Sequence, residues 1–379
     1  MKFPIQWGAI DPQIRGPIIA DESAVDLRNI IGSHTGHLCT YRGLAFAKGF
    51  YNPKKTYDLS NTEPSDVIGP FSTWYGSSIV SLDPFGASVV LDFSDLIRDG
   101  INLRPTISIT RGKLCIPEIV QACSNRTLFT DKKILLDDGY IQATKIAIDP
   151  VWYLPGMAQR FSISETTLRE SLYYCSGGMY EELLSCQEKK VFLPPIGNYS
   201  VYIFGNITKL GSQVPVTLRI HDECIGSDVF GSTICTCRTY LIYGIEESIK
   251  CAQEGGLGII IYGRKEGRSL GEVIKYMVYN SRMRQNMDLP SEYFLRTERV
   301  AGVSDIRFQE LTSEVLLWLG VTKVSNLISM SESKLQSIKK VGIKVEKQLS
   351  LPYSRIPKDA HVEITAKKNL NSSCHHCYD

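Results

Sequence analysis

The run from Val214 to Val345 switches repeatedly between two hydrophobic periods, and this constrains the fold more than any other feature of the chain. "VPVTLRI" (214–220) alternates like a half-buried strand. "RTYLIYGIEESIKCAQEGG" (238–256) instead places Leu241, Ile245, Ile249 and Ala252 at helical spacing, and Gly255-Gly256 is a natural stop. "LGIIIYG" follows as a buried strand, then "SLGEVIKYMVYNSRMRQ" as a helix opened by a Ser269/Glu272 capping box. "DIRFQELTSEVLLWLG" reads as an amphipathic helix, "VTKVSNLI" as a strand, and "SESKLQSIKKVG" as a last helix capped by Ser331. Strands alternating with helices predict an α/β sheet domain.

The preceding residues are less periodic. Strand-like runs such as "GASVVLDFSD", "RPTISITRG" and "KIAIDPVWYLPG" are separated by turns. Pro194-Pro195-Ile196-Gly197 reads as a hinge. The expected organisation is an N-terminal α/β extension of unassigned role over 1–197, a catalytic domain over 198–350, and a polar tail over 351–379, loose after Pro357.

Bulk properties exclude several function classes. Lys+Arg number 42 against 40 Asp+Glu in 379 residues, a net charge of +2. A nucleic-acid polymer binder needs a phosphate-neutralising surplus, which is absent, although a small basic pocket for one nucleotide is compatible. No apolar run approaches the ~18–20 residues of a membrane span, and "MKFPIQWGAIDPQ" lacks a signal-peptide core. The expectation is a cytoplasmic protein with no membrane partner. Its eleven cysteines are then mostly reduced thiols.

Three of them stand out. Cys224, Cys235 and Cys237 fall between the strand at 214–220 and the helix at 238–256. Thiolates are soft ligands that suit zinc, and catalytic zinc sites take three protein ligands while leaving a position for water. Burial of three small apolar side chains is the competing reading of the spacing, and His221 is a further possible ligand. "CHHC" at 374–377 is a second metal-capable cluster, near the terminus, that reads as an adventitious binder or a redox pair.

"RIHDEC" (219–224), "DVFGSTICTC" (228–237) and "YGRKEGRSLG" (262–271) together resemble GTP cyclohydrolase II, in the same order and at compatible separations over residues ~200–345. The resemblance implies one zinc ion on Cys224, Cys235 and Cys237, where activated water opens a nucleobase ring. It implies that Arg219, His221 and Glu223 line a nucleotide site, with Glu266 and Arg268 from the E-G-R segment. Lys275 and Tyr279 match a lysine and a catalytic tyrosine four residues apart, hence on one helix face. Asp305 and Arg307 match a D-x-R element whose arginine is proposed to attack a phosphate. Ser329 and Lys334 approximate further phosphate contacts.

The departures point to a branch of that family. "CTCRTY" places Thr236, Arg238 and Tyr240 where the parent has Asp, Gly and Gln, which makes Arg238 and Tyr240 candidate selectors of base or phosphate. "KEGR" and "SMSES" also differ from the parent pattern. "HDECIGSDVFGSTICTCR", "FQEL", "SMS", "DPVWYLPG" and "VFLPPIG" look like the cyclohydrolase-II-like proteins of the uracil catabolic (URC) pathway. That resemblance implies hydrolysis of uracil at C4–N3 in a uridine nucleotide, UMP or UTP, by a homodimer, with Tyr279 as first candidate for general acid and Glu223 or His221 next. A triphosphate substrate would bring Mg2+. Two alternatives stay open: a GTP cyclohydrolase II releasing formate and pyrophosphate, and a non-catalytic zinc- and nucleotide-binding regulator.

Overall fold

The computed structural model describes residues 3–21, 24–33, 38–52, 66, 68–69, 78–195, 197–284 and 288–373. Its strands, in chain order, are β1 (Ile31–Gly32), β2 (Ile107–Leu114), β3 (Ile141–Ile148), β4 (Trp152–Tyr153), β5 (Val191–Leu193), β6 (Tyr199–Phe204), β7 (Val216–Asp222), β8 (Leu257–Gly263), β9 (Lys323–Ile328) and β10 (Lys344–Leu349). The longer helices are α1 (Pro117–Ser124), α2 (Glu165–Cys175), α3 (Cys237–Gln253), α4 (Glu272–Arg284), α5 (Tyr293–Ala301), α6 (Gln309–Trp318), α7 (Glu332–Lys340) and α8 (His361–Ser373). Among the described residues no helix is long and apolar enough to cross a membrane.

The chain forms two compact units, interleaved in sequence. The first comprises 1–110, 146–199 and 314–320. It holds a three-stranded sheet in the order β1-β5-β4, with β1 parallel and β4 antiparallel to β5. One small core gathers Ile18, Ile30, Val151 and Val191, and a second gathers Ile31, Leu154, Leu183 and Phe192. The strand-like run at 86–95 is helical instead, in two short turns, Val89–Asp92 and Ser94–Arg98.

The second unit comprises 111–145, 200–313 and 321–379. Its architecture is the expected mixed sheet with flanking helices, in the strand order β10-β9-β7-β8-β6-β3-β2. The four strands β10, β9, β7 and β8 run parallel, and β7 pairs with β8 from Val216↔Leu257 to Asp222↔Gly263. Helix α3 packs on β7 and β8. Its Ile242, Ile245, Ile249 and Ala252 enter a core with Ile119, Leu135, Ile141, Phe204 and Ile260, each large side chain contributing about 1.5–3 kcal/mol on burial. A Cβ on Gly244 of α3 would lie 2.9 Å from the Arg219 side chain, so glycine is what lets Arg219 pass beneath the helix.

Parallel strands have their carboxyl ends on one edge, where open α/β sheets bind ligands. Here Cys224 follows β7, Glu266 and Arg268 follow β8, and Ser329 and Lys334 follow β9. Ser331 caps α7 as expected, accepting from Lys334 N. Ser269 does not cap α4. It has φ +67°, in a left-handed run with Gly267 and Arg268, and the helix begins at Glu272. Within the stretch after Pro357, expected to be loose, residues 361–373 form α8.

Candidate active site

The three cysteines of the 224–237 segment converge. Cys224 ends the stretch after β7, Cys235 and Cys237 flank the start of α3, and the three sulfurs lie within 4.8 Å of one another. The Cys224 and Cys235 sulfurs are 3.6 Å apart, and both side chains are buried. The thiols act on one another: hydrogen bonds from Cys224 and Cys237 hold Cys235 well below the thiol range, while its bond to Cys235 pushes Cys224 up. Three thiolates at this spacing repel one another unless a cation sits among them. This donor set, soft and small, fits one divalent metal ion.

Around the sulfurs the polar groups are paired in a fixed order. Arg219 Nη2 lies 3.2 Å from His221 Nδ1. A guanidinium only donates, so Nδ1 accepts and the proton sits on Nε2, which donates to Asp228 Oδ2 at 2.9 Å. That carboxylate also accepts from Cys224 N at 3.0 Å and the Tyr262 hydroxyl at 2.9 Å. Burial pushes His221 down from the usual imidazole range. With both nitrogens engaged, His221 is a neutral brace for Arg219 and the Cys224 loop, not a further ligand.

On the other side, Lys275 Nζ lies 2.8 Å from Cys224 Sγ and 2.5 Å from Glu266 Oε1. Glu266 Oε2 accepts from Ile225 N at 2.7 Å, pinning the turn after Cys224. Tyr279 lies one turn beyond Lys275 on α4, lines the same cavity, and its hydroxyl has no hydrogen-bond partner among the described residues. Glu223 also faces the cavity and is paired with Arg264 at 2.7 Å.

The far wall is cationic. Asp222 Oδ2 accepts from Lys334 at 2.8 Å, Arg307 at 2.7 Å and Gln309 at 3.2 Å. Burial alone would raise this carboxyl, but Lys334 and Arg307 reverse that and hold it far below the carboxylate range. Arg307 is gripped on its other edge by Asp305, 2.9 Å and 3.0 Å from Nε. Burial would lower its pKa, yet Asp222 and Asp305 raise it above the ordinary arginine value. Arg268 donates to Ser304 O at 3.0 Å and lies 4.6 Å over the Phe294 ring. Its loop turns through Gly267, where a Cβ would be 2.5 Å from Gly271 O.

The cavity holds about 400 Å3 and is lined by Arg219, His221, Glu223, Glu266, Arg268, Lys275, Tyr279, Asp305, Arg307, Ser329, Lys334 and the cysteines. Ser329 Oγ accepts from Ser331 N at 3.0 Å, so it shapes the turn into α7. Two candidate selectors are placed differently. Arg238 points away, in a fork with Glu118 at 2.7 Å and 2.9 Å, and does not line the cavity. Tyr240 reaches the wall, but its hydroxyl accepts from Leu351 N at 3.1 Å and its ring lies 4.9 Å from the Arg219 guanidinium carbon, which it supports. Asp222, Lys265, Glu363 and Lys367 also line the cavity, and none of them is given a site role by the sequence alone. For Asp222 the signal was present, a carboxylate at the end of a strand between two polar neighbours. The CHHC cluster at 374–377 lies outside the described residues.

A metal-capable trio at the carboxyl edge of parallel strands, in one cavity with arginine and lysine side chains, defines the class as an α/β domain with a candidate metal-assisted active site. Residues 1–174 match the family model described as GTP cyclohydrolase N terminal, and residues 197–350 that of GTP cyclohydrolase II. Uracil-regulated protein 1 of Schizosaccharomyces pombe is 45% identical over 370 residues, covering 96% of this chain and 84% of that protein. The protein of Lachancea kluyveri named "Putative GTP cyclohydrolase URC1" is 44% identical over 97% of this chain and 84% of its own length. The riboflavin biosynthesis protein RibBA of Synechocystis is 29% identical over 44% of this chain. The chain therefore belongs to the GTP cyclohydrolase II family, alongside these uracil-regulated relatives, and is a hydrolase of the cyclohydrolase type.

Proposed function

We propose that the chain opens the pyrimidine ring of a uridine nucleotide by adding water across C4–N3, with one zinc ion held by Cys224, Cys235 and Cys237. C4 gains the hydroxyl and becomes a carboxylate, N3 gains a proton and becomes the free end of a ureido group, and no carbon is lost. The observation that carries this reading is the cavity itself. Three convergent sulfurs stand at one wall and the Arg307–Lys334 cluster at another. The kinship with uracil-regulated protein 1 supports uracil as the base. Zinc bound among those thiolates would polarise the C4 carbonyl and lower the pKa of water.

The protein groups then have separable tasks. Arg307 and Lys334 take the phosphate, Arg307 offering a planar fork of donors. Its carboxylate partners keep Arg307 protonated, so it acts here as a phosphate clamp rather than as a nucleophile. Arg268 closes the phosphate side from the loop after β8. The Tyr279 hydroxyl, without a partner among the described residues, is the donor of the N3 proton. Glu266 and Lys275 hold the turn at Cys224 and so fix the sulfur that they touch.

The same reading takes the protein as a cytoplasmic homodimer whose partner molecules are small nucleotides, with Mg2+ accompanying a triphosphate. Incubation of the purified protein with UMP, UTP and GTP in separate reactions tests it. Loss of uracil absorbance with a product heavier by one water, and no formate, is the expected result. Formate and pyrophosphate from GTP alone would replace it with the riboflavin-type reaction, and tight binding without turnover would leave a regulator.

A further inference from the structure

The GTP cyclohydrolase II match ends at residue 350, yet the cavity wall does not. Helix α8, residues His361–Ser373, carries two of the lining side chains, Glu363 and Lys367, one turn apart. The helix is docked through Ile364, which joins Tyr240, Ile328 and Leu351 in a buried cluster. Docking brings the Glu363 carboxylate, 3% exposed, beneath the cysteine loop. Its Oε2 accepts from the Thr236 backbone N at 2.8 Å and from the Thr236 hydroxyl at 3.4 Å. Lys367 pairs with its other oxygen. A second tether lies outside the cavity, where the Thr233 hydroxyl donates to Asp359 at 2.8 Å.

Thr236 is the residue between Cys235 and Cys237, and it also opens α3 without capping it through its own side chain. Its backbone N–H would otherwise be an orphan at a buried helix start. A carboxylate beside three thiols is electrostatically costly, so its burial here asks for a reason. The geometry supplies one, because holding the Thr236 peptide fixes where the sulfurs on both sides of it point. We infer that Glu363 is a positioning residue for the metal site: it sets the Cys235–Cys237 geometry from beyond the stretch that matches GTP cyclohydrolase II. Groups that orient ligands in this way are worth about 10–100-fold in metal affinity. The inference rests on the thiolate-metal reading above.

The test uses the full chain, stripped of metal and titrated with Co2+, whose thiolate charge-transfer band reports ligand number and geometry. Affinity follows from competition with a chromophoric chelator. Glu363→Ala should weaken Co2+ by about 10–100-fold and shift the band, with helix content unchanged by circular dichroism. Glu363→Gln keeps one acceptor for the Thr236 N–H and should restore the band with most of the affinity. If Glu363→Ala does not fold, Glu363→Asp, one methylene too short to reach the Thr236 N–H, takes its place: a several-fold loss supports the role, and wild-type affinity with a wild-type band overturns it. Both variants matching the wild type would sink this inference while leaving the thiolate site standing. A wild-type protein that gives no charge-transfer band at all would instead remove the metal reading beneath it.

Discussion

Both units bury charge, and two groups in the first contrast with the cavity wall of the second. In the first unit Arg169 is fully enclosed, donating to Glu165 at 2.8 Å and to the carbonyls of Leu183 at 3.1 Å and Lys189 at 2.6 Å. Glu314 there accepts from Val80 N at 3.1 Å, Ser81 N at 2.7 Å and the Ser81 hydroxyl at 2.6 Å, and pairs with Arg160. These groups face only protein, and each is saturated by fixed local partners. In the second unit Lys334 is buried while Asp222 and Arg307 are only partly so, and all three front a cavity, beside a tyrosine hydroxyl that has no partner among the described residues. Burial of charge alone therefore does not mark a site. What marks it is bonding capacity left facing open volume.

The largest expected effect comes from the sulfurs. Cys235→Ser should abolish turnover and remove the bound metal, read by metal analysis of the purified protein; retained activity without metal would erase the distinction for this wall of the cavity. Next is the closed charge: Arg169→Ala should cost about 3–5 kcal/mol of stability by chemical denaturation and leave the nucleotide Kd of the folded protein unchanged. A change in Kd at constant stability would show that the saturated charges of the first unit are not merely architectural. Arg307→Ala should do the reverse. Loss of a charged hydrogen-bonding group costs about 1.5–3 kcal/mol, so affinity for UMP should fall about 10–100-fold by calorimetry while the unfolding midpoint moves little.

The smallest effect is a pH dependence. Burial, only partly offset by Asp222, pushes Lys334 down from the ordinary 10.5 to about 8. The folded protein then binds this proton less tightly than the unfolded chain. Stability should rise with pH between about 8 and 10.5 from this group. A bound phosphate needs the proton, so affinity should decline a few-fold over the same window. Lys334→Arg, charged throughout, should flatten the decline in Kd measured across that range.

The elements between 214 and 345 were legible because each has one clean period and one buried face, and the three sulfurs because motif spacing survives folding. Other features were hidden for physical reasons. The run at 86–95 has the β-branched pair Val89 and Val90, which suggests a strand; packing of Val89 and Phe93 with Ile19 and Leu103 overrides that preference. Arg238 is adjacent to Cys237 in sequence, but neighbours on a helix diverge by about 100°, which sends it to Glu118. Helix α8 was hidden by composition, since Ile364 and Ala366 are almost its whole apolar face and its buried Glu363 reads as surface. The cation wall depends on β7, β8 and β9 running parallel side by side, which no single stretch of sequence states.

The hydrogen bond from Thr236 to Glu363 joins residues 127 apart along the chain. During translation the cysteines leave the ribosome long before the glutamate that steadies them has been made. Alignment of the three sulfurs thus waits on a residue made 127 positions after Thr236, and a polypeptide stalled shortly before α8 carries Cys224, Cys235 and Cys237 but not the brace that aligns them.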